Sequence, residues 1–91
     1  MNELLLNTLE NEIREEYHIP PYFENLQNLI KEANAWFSQL ENNIDYDLDL
    51  VARSLLKSRV FYAYNNKKND FAIDYAYDVL TWQFSKIKGV L

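Results

Sequence analysis

The 91-residue chain is poor in residues that interrupt secondary structure and in residues that form cross-links. It contains no cysteine, which excludes disulfides and thiolate metal sites. Its single glycine excludes a glycine-rich loop that cradles phosphates. With only two prolines as well, the chain has few turn signals. These absences disfavour a barrel or sandwich of many short strands and favour a few long helices joined by short loops.

The length of 91 residues suits a single domain with a thin hydrophobic core. The segment Met1–Leu6 has no basic stretch, and its apolar run is too short for a signal peptide. No apolar run approaches the length of a membrane span. We therefore expect one soluble intracellular domain, covering residues 1–91, that does not contact a membrane.

Four segments show the three- and four-residue spacing of apolar residues that indicates helices. The clearest is the second, where apolar residues from Tyr22 to Leu40 alternate steps of four and three. Pro21 is expected in its first turn, because an N–H there would have no helical partner anyway. We therefore predict an all-α fold, a small four-helix domain with short loops and helices over residues 2–16, 21–41, 47–64 and 70–88.

Polar residues at the helix boundaries predict caps. Asn2 precedes the first helix, and Asp45, Asp47 and Asp49 are candidates for the N-terminus of the third. Gly89, the only glycine, follows the fourth helix, where a C-cap glycine is common. On the third helix, the apolar residues expected to face the core are Leu48, Val51, Ala52, Leu55, Leu56, Tyr62 and Ala63.

The charge is unevenly distributed along the chain. Residues 1–50 contain eleven acidic and two basic residues, whereas residues 51–91 contain three acidic and seven basic ones. The net charge of −5 argues against general binding to a phosphate backbone. Two interpretations stay open: the charges neutralise one another inside one compact fold, or acidic and basic surfaces of neighbouring copies meet head to tail.

The fourth predicted helix is more apolar than an ordinary surface helix. One-sided packing needs only about a third of a helix circumference to be apolar, and here more than half is. Its polar stripe comprises Asp70, Asp74, Asp78, Thr81, Ser85 and Lys88. One apolar flank comprises Phe71, Tyr75, Val79 and Trp82, and the other Ile73, Ala76, Tyr77, Leu80, Phe84 and Ile87.

Two arrangements explain this composition. Either the helix is central and wrapped by the other three, or the aromatic residues of its first flank face another chain. Two aromatic residues at the end of the third helix would extend that patch. Arg59 lies beside them and is either snorkelling or paired with a carboxylate. The candidate subunit interface therefore comprises Arg59, Phe61, Tyr64, Phe71, Tyr75 and Trp82.

A search for chemistry finds no catalytic constellation. His18 is the only histidine and lies in a proline-containing connection, where a solvated or capping role is expected. The acidic run Asp45–Asp49 lacks the glycine and the terminal glutamate of a calcium loop. Ser54 and Ser58 have no histidine on their own helix. We expect no enzyme activity, no metal and no cofactor.

A modest basic group surrounds the third helix and the loop that follows it. It comprises Arg53, Lys57, Lys67 and Lys68. A recognition helix looks somewhat like this, although the acidic total fits poorly. The alternative function is therefore a small helical regulator that binds DNA or a protein partner.

The order of features resembles a known family. A short first helix leads to the long second helix, with its run of apolar residues from Tyr22 to Phe37. An acidic loop leads to a third helix that ends in the aromatic run at residues 61–64, and the last helix opens with Phe71 and Tyr75. This order, over nearly the whole chain, resembles the head–tail connector (adaptor, or head-completion) proteins of tailed phages and prophages.

The resemblance implies a structural function. Members of that family are small helical proteins, not enzymes, that form a ring beneath the portal after DNA packaging. The ring continues the DNA channel and provides the docking surface for the tail. The implied partners are other copies of the chain, the portal and the tail-completion proteins, with DNA passing through the ring without specific contacts. The implied location is the virion, assembled in the cytoplasm of the bacterial host.

Overall fold

The computed structural model describes residues 1–87, which form five α-helices and contain no strand. The helices are α1 (Glu3–Tyr17), α2 (Leu26–Ser38), α3 (Leu50–Tyr64), α4 (Lys68–Asp74) and α5 (Ala76–Ser85). The all-α fold class is confirmed. The predicted number of four helices is wrong, because the last predicted helix is divided into α4 and α5. The predictions for Lys88 and Gly89 lie outside the described residues.

The predicted caps are present at two helix N-termini. The side-chain Oδ1 of Asn2 accepts a hydrogen bond from the backbone N–H of Leu5 at 2.7 Å. The Oδ1 of Asp49 accepts from the backbone N–H of Ala52 at 3.0 Å. Each bond satisfies a backbone donor that has no partner within the helix. At the other end of α1, His18 is the C-cap in a left-handed conformation with φ 56°, which confirms its capping role.

The connection between α1 and α2 is longer than predicted, because Arg14 holds it in a non-helical form. The Arg14 guanidinium donates to the carbonyl oxygens of Pro20, at 2.7 Å, and of Phe23, at 2.8 Å. Pro21 therefore lies in a turn and not in the first turn of α2, which begins at Leu26. Tyr22, the first residue of the apolar spacing that predicted this helix, lies before α2 and is 82% exposed.

Tyr75 separates α4 from α5. Its backbone leaves the helical region, with φ −106° and ψ 14°, while its ring stacks on that of Phe71 with centroids 4.7 Å apart. Helical hydrogen bonds continue on both sides, from the Tyr75 N–H to the Phe71 carbonyl and from the Val79 N–H to the Tyr75 carbonyl, each 2.9 Å. The two helices therefore follow one another without a loop.

The central element is α3, which lies against each of the other four helices. Of the two arrangements considered for the last helix, the central one is not found: α3, and not α5, lies against every other helix. An aromatic cluster joins α5 to the core: the Phe37 ring of α2 contacts Trp82 and Phe71 edge-on, with centroids 5.7 and 6.1 Å away. The largest fully buried side chains are Trp82, Phe37, Phe71, Leu9, Ile13, Leu26, Ile30, Leu56 and Val60.

Candidate interaction surface

The face of α4 and α5 that points away from the core carries four large apolar side chains. Steps of four, three and four residues place them on one side of the helical chain. All four are at least half exposed, although a helix normally turns such residues toward the core. They are Ile73 (75% exposed), Tyr77 (79%), Leu80 (51%) and Phe84 (60%), named here the α5 strip.

Two residues of the predicted subunit interface lie on the opposite, buried face. Phe71 is 0% exposed and Trp82 is 2% exposed, which corrects the prediction that they face another chain. Trp82 is fixed further by a 2.9 Å hydrogen bond from its Nε1 to the Oδ2 of Asp49. The exposed apolar flank of this segment is therefore the other one, which carries Leu80 and Phe84.

Three further residues of the predicted interface are half-buried and use part of their surface within the chain. The Phe61 ring stacks on Tyr17 with centroids 4.4 Å apart, and the Tyr64 ring contacts Phe23 edge-on at 4.8 Å. Tyr75 stacks on Phe71, as described above. Their contact with another chain stays a prediction.

A groove of about 570 Å³ lies between the first turns of α3 and the adjacent side of α5. Its walls include Leu50, Val51 and Ser54 from α3, and Tyr77 and Thr81 from α5. Leu50 is 68% exposed and Val51 is 56% exposed. Because Tyr77 belongs to the groove wall and to the α5 strip, the two features form one continuous, mainly apolar surface.

Residues of α3 that were predicted to face the core contribute to this apolar exposure. Val51 lines the groove, and Leu48, just before the helix, is 82% exposed. Ala52, Leu55 and Leu56 are buried as predicted. The helix begins three residues later than the predicted start near Asp47, so Leu48 lies before its first turn.

The predicted basic surface on α3 is neutralised by α1. Arg53 donates from Nε to the Oε1 of Glu12 at 3.0 Å, and the Nζ of Lys57 lies 3.0 Å from the same oxygen and 2.8 Å from the Oε1 of Glu16. Only 15% of the Arg53 side chain and 13% of the Lys57 side chain is exposed. This corrects the prediction that the two cations offer a surface to a partner such as DNA.

The carboxyl group of Glu12 is the centre of this network. The hydrogen bond from Arg53 is the main cause that lowers the pKa of Glu12 from 4.5 to about 2, although burial opposes it. The same bond raises the pKa of Arg53. Glu12 is therefore a carboxylate at neutral pH, and the network acts as a structural tie between α1 and α3.

The other two residues of the predicted basic surface, Lys67 and Lys68, are exposed at the start of α4. The Nζ of Lys68 lies 3.8 Å from the Oε1 of Glu32 on α2, and Lys86 pairs with Asp49 near the other end of the domain. Apart from the pair Arg14–Glu10, each ion pair within the described residues joins an acidic residue from the first 50 residues to a basic residue after residue 50. These pairs agree with the interpretation that the charges neutralise one another inside the fold, and contact between acidic and basic surfaces of neighbouring copies stays a prediction.

Arg59, the remaining member of the predicted interface, lies over an aromatic ring. Its Cζ is 4.3 Å from the centroid of the Trp36 ring and 5.6 Å from that of Phe71. Burial lowers the pKa of Arg59, and the nearby charge of Glu32 opposes this effect. The predicted alternative, a carboxylate partner, is not found within residues 1–87.

The described residues hold little that suggests metal or membrane chemistry. No group of three or more His, Cys, Asp or Glu residues among them is arranged to hold a metal ion. Within the same part of the chain, no helix combines the length and the apolar character needed to cross a bilayer. The α5 strip and its groove are therefore the main candidate site, and what they offer chemically is apolar contact.

Comparison with protein-family models, with curated proteins and with solved structures gives no match.

Proposed function

We propose that the chain is a structural subunit that self-associates through the α5 strip and the adjoining groove. We propose further that it is a head–tail connector of the kind its sequence resembles. The observation that carries the proposal is the exposure of four large apolar side chains, between 51% and 79%, on one face of α4 and α5. Contiguous apolar surface of this kind is typical of interaction sites.

The size of the surface supports a specific contact. A fully exposed aromatic side chain offers about 150–250 Å², so the strip together with Leu50 and Val51 exposes roughly 100 Å² per residue. The total, on the order of 600 Å², reaches the upper end of the largest apolar patch on a typical monomer, about 300–600 Å². It approaches the roughly 800 Å² that each partner buries in a standard interface.

A second copy of the chain is the partner that this geometry favours. The α5 strip points away from the core, whereas the groove opens beside α5 toward α3, so one chain cannot fill its own groove with its own strip. The strip of a neighbouring copy offers side chains at helical spacing, as in other helix-in-groove contacts. Such a contact joins two different surfaces, and its repetition gives a ring if the rotation closes.

The charge distribution agrees with a connector through which DNA passes. Arg53 and Lys57, the best candidates for a recognition helix, are held by Glu12 and Glu16. A protein that recognises a DNA sequence needs side chains that reach the edges of the bases. Tight non-specific binding to DNA needs many cations in contact with phosphates. A chain with a net charge of −5 favours neither, which suits a channel wall that does not retain DNA.

The test is sedimentation velocity of the wild-type chain over a wide range of concentrations, beside two aspartate variants. Leu80→Asp places a charge in the α5 strip, and Leu4→Asp places the same charge on α1, where Leu4 is 77% exposed. We expect the mass of the wild type and of Leu4→Asp to rise with concentration, while Leu80→Asp stays monomeric. A wild type that stays monomeric throughout, or variants that behave alike, would contradict self-association through the strip.

Electron microscopy of the concentrated wild type separates the connector from other assemblies. Closed rings are the expected result, since a connector must surround the DNA channel. Dimers or open filaments would contradict the connector proposal, even where sedimentation supports self-association.

A further inference from the structure

A second feature, outside the α5 strip and groove, concerns Arg59. Its guanidinium lies in a cleft of about 270 Å³ that is lined by residues of α2 and α3 and by Lys68. The Cζ of Arg59 is 4.3 Å from the centroid of the Trp36 ring, which fixes the position of the cation by a cation–π contact. Arg59 also approaches Phe71, a ring of the core, at 5.6 Å. The guanidinium is therefore held on a rigid aromatic support.

Arg59 differs from the other arginines in its partners. Arg14 pairs with Glu10 at 2.8 Å, and Arg53 pairs with Glu12. Within the part of the chain that the structure describes, Arg59 makes neither an ion pair nor a side-chain hydrogen bond. A guanidinium has five N–H donors in a planar fork, and stacking on a ring uses its face and leaves these donors at the edge.

The groups around the cleft define the charge of a ligand that fits. Gln39 and Lys68 offer further donors at the cleft, and the Nζ of Lys68 is only loosely paired with Glu32, at 3.8 Å. Glu32 itself lines the cleft and repels anions. Arg59, Lys68 and Glu32 together give the cleft a net charge of about +1, which a singly charged group neutralises.

We propose that the Arg59 cleft binds a carboxylate. A carboxylate matches the fork of a guanidinium with two parallel hydrogen bonds, the strongest arrangement open to this side chain. Its source is an acidic side chain of a second copy of the chain or a carboxylate of another molecule. The site is separate from the α5 strip, so it does not depend on the proposed self-association.

The test is an NMR titration of the isotope-labelled protein with sodium acetate, at constant ionic strength kept by sodium chloride. We expect saturable shifts of the Arg59 Nε–H and Trp36 Nε1–H signals, with a dissociation constant in the millimolar range. The matched variant is Arg59→Lys, which keeps the charge but lacks the fork, and should bind acetate about tenfold more weakly. Thermal unfolding checks that this variant is folded at the temperature of the titration.

Three results would overturn the proposal: linear shifts without saturation, the same affinity in Arg59→Lys, or tighter binding of inorganic phosphate than of acetate. The titration is repeated in Leu80→Asp, which the α5 proposal expects to be monomeric. Unchanged acetate binding there supports the cleft whatever the outcome for self-association. If the two signals also shift with wild-type concentration alone, the carboxylate comes from a second copy; if they respond to acetate only, it comes from another molecule.

Discussion

The two helices α1 and α5 flank the central helix α3 in opposite ways. Between α1 and α3 the exposed edge of the contact is closed by ion pairs, because Glu12 holds both Arg53 and Lys57. Between α5 and α3 the contact is apolar and open, with a groove of about 570 Å³ and the exposed α5 strip beside it. The charges that suggested a binding surface are used to build the fold, whereas part of the apolar surface that suggested a core is exposed.

The largest expected effect separates the two faces of the α4–α5 segment. Phe71 is 0% exposed and Phe84 is 60% exposed, so truncation of the same side chain tests burial directly. We expect Phe71→Ala to lower the free energy of unfolding by about 3–5 kcal/mol, from lost burial and the cavity left behind. Phe84→Ala should change it by no more than about 0.5 kcal/mol. Urea unfolding of both variants, under dilute conditions, measures the difference.

Equal losses in the two phenylalanine variants would contradict the assignment of faces. Such a result would mean that Phe84 packs within the chain, and that the α5 strip is not available to a partner.

The next largest effect on stability is expected for Asp49, because its side chain bonds to both α3 and α5. Its carboxylate caps α3 and accepts from the Trp82 Nε1 at 2.9 Å. Asp49→Ala should cost about 2–3 kcal/mol, from a lost N-cap and a buried indole N–H without a partner. Thermal unfolding compared with Asp47→Ala provides the control, since 75% of the Asp47 side chain is exposed. A loss as small as that of the control would show that the cap and the indole contact contribute little.

The stabilisation that the Asp49 carboxylate provides should decrease as the pH falls. Burial acts to raise the pKa of Asp49, but hydrogen bonds from Lys86, Trp82 and the Ala52 backbone outweigh it and hold the pKa below 3.8. A carboxyl group with a lowered pKa stabilises the fold above its unfolded pKa, and this contribution disappears as the pH falls. The difference in the free energy of unfolding between wild type and Asp49→Asn should therefore be smaller in acid than at neutral pH.

Glu12 gives a smaller effect at the closed contact. Its pKa is about 2 in the fold, compared with 4.5 as the ordinary value. Glu12→Gln should lower the stability at pH 7 by about 1–2 kcal/mol, a value reduced by solvent screening because 32% of the Glu12 side chain is exposed.

The acid titration of Glu12→Gln identifies the cause. Between the two pKa values the unfolded chain binds more protons than the fold, so the contribution of Glu12 is complete above about pH 5 and is lost toward pH 2. Urea unfolding at several pH values follows this loss, with the exposed Glu15→Gln as the control. A difference that stays constant from neutral pH to pH 2 would exclude ionisation of Glu12 as the cause.

Local features of the fold were predictable from the sequence. The apolar spacing identified α1, and the short polar residues Asn2 and Asp49 identified caps, because each of these signals acts within one helical turn. The break at Tyr75 was not predictable, since it coincides with ring packing on Phe71 and Tyr62 that only the tertiary structure brings together. The start of α2 was missed for the same reason, because Arg14 binds carbonyls of the preceding loop.

The faces of the candidate site were the least predictable part. Both flanks of the last predicted helix are strongly apolar. The flank with Phe71, Tyr75 and Trp82 was predicted to face another chain because its side chains are large and aromatic. The ion network offered a usable signal: Glu12 and Glu16 are four residues apart on α1, as Arg53 and Lys57 are on α3, so two helices can match them in register. Nothing of this kind distinguishes the flank of Leu80 from that of Trp82, because apolar contacts have no direction.

The most direct test of the central claim is disulfide cross-linking between single-cysteine variants, since the chain has no cysteine of its own. Leu80→Cys marks the α5 strip and Ser54→Cys marks the groove, with Leu4→Cys as the control for the strip. A strip that seats in the groove of a neighbour predicts covalent dimers when Leu80→Cys and Ser54→Cys are mixed and oxidised, with far fewer from either variant alone or from Leu4→Cys with Ser54→Cys. A mixture that stays monomeric, or Leu80→Cys that cross-links equally well by itself, would contradict this arrangement.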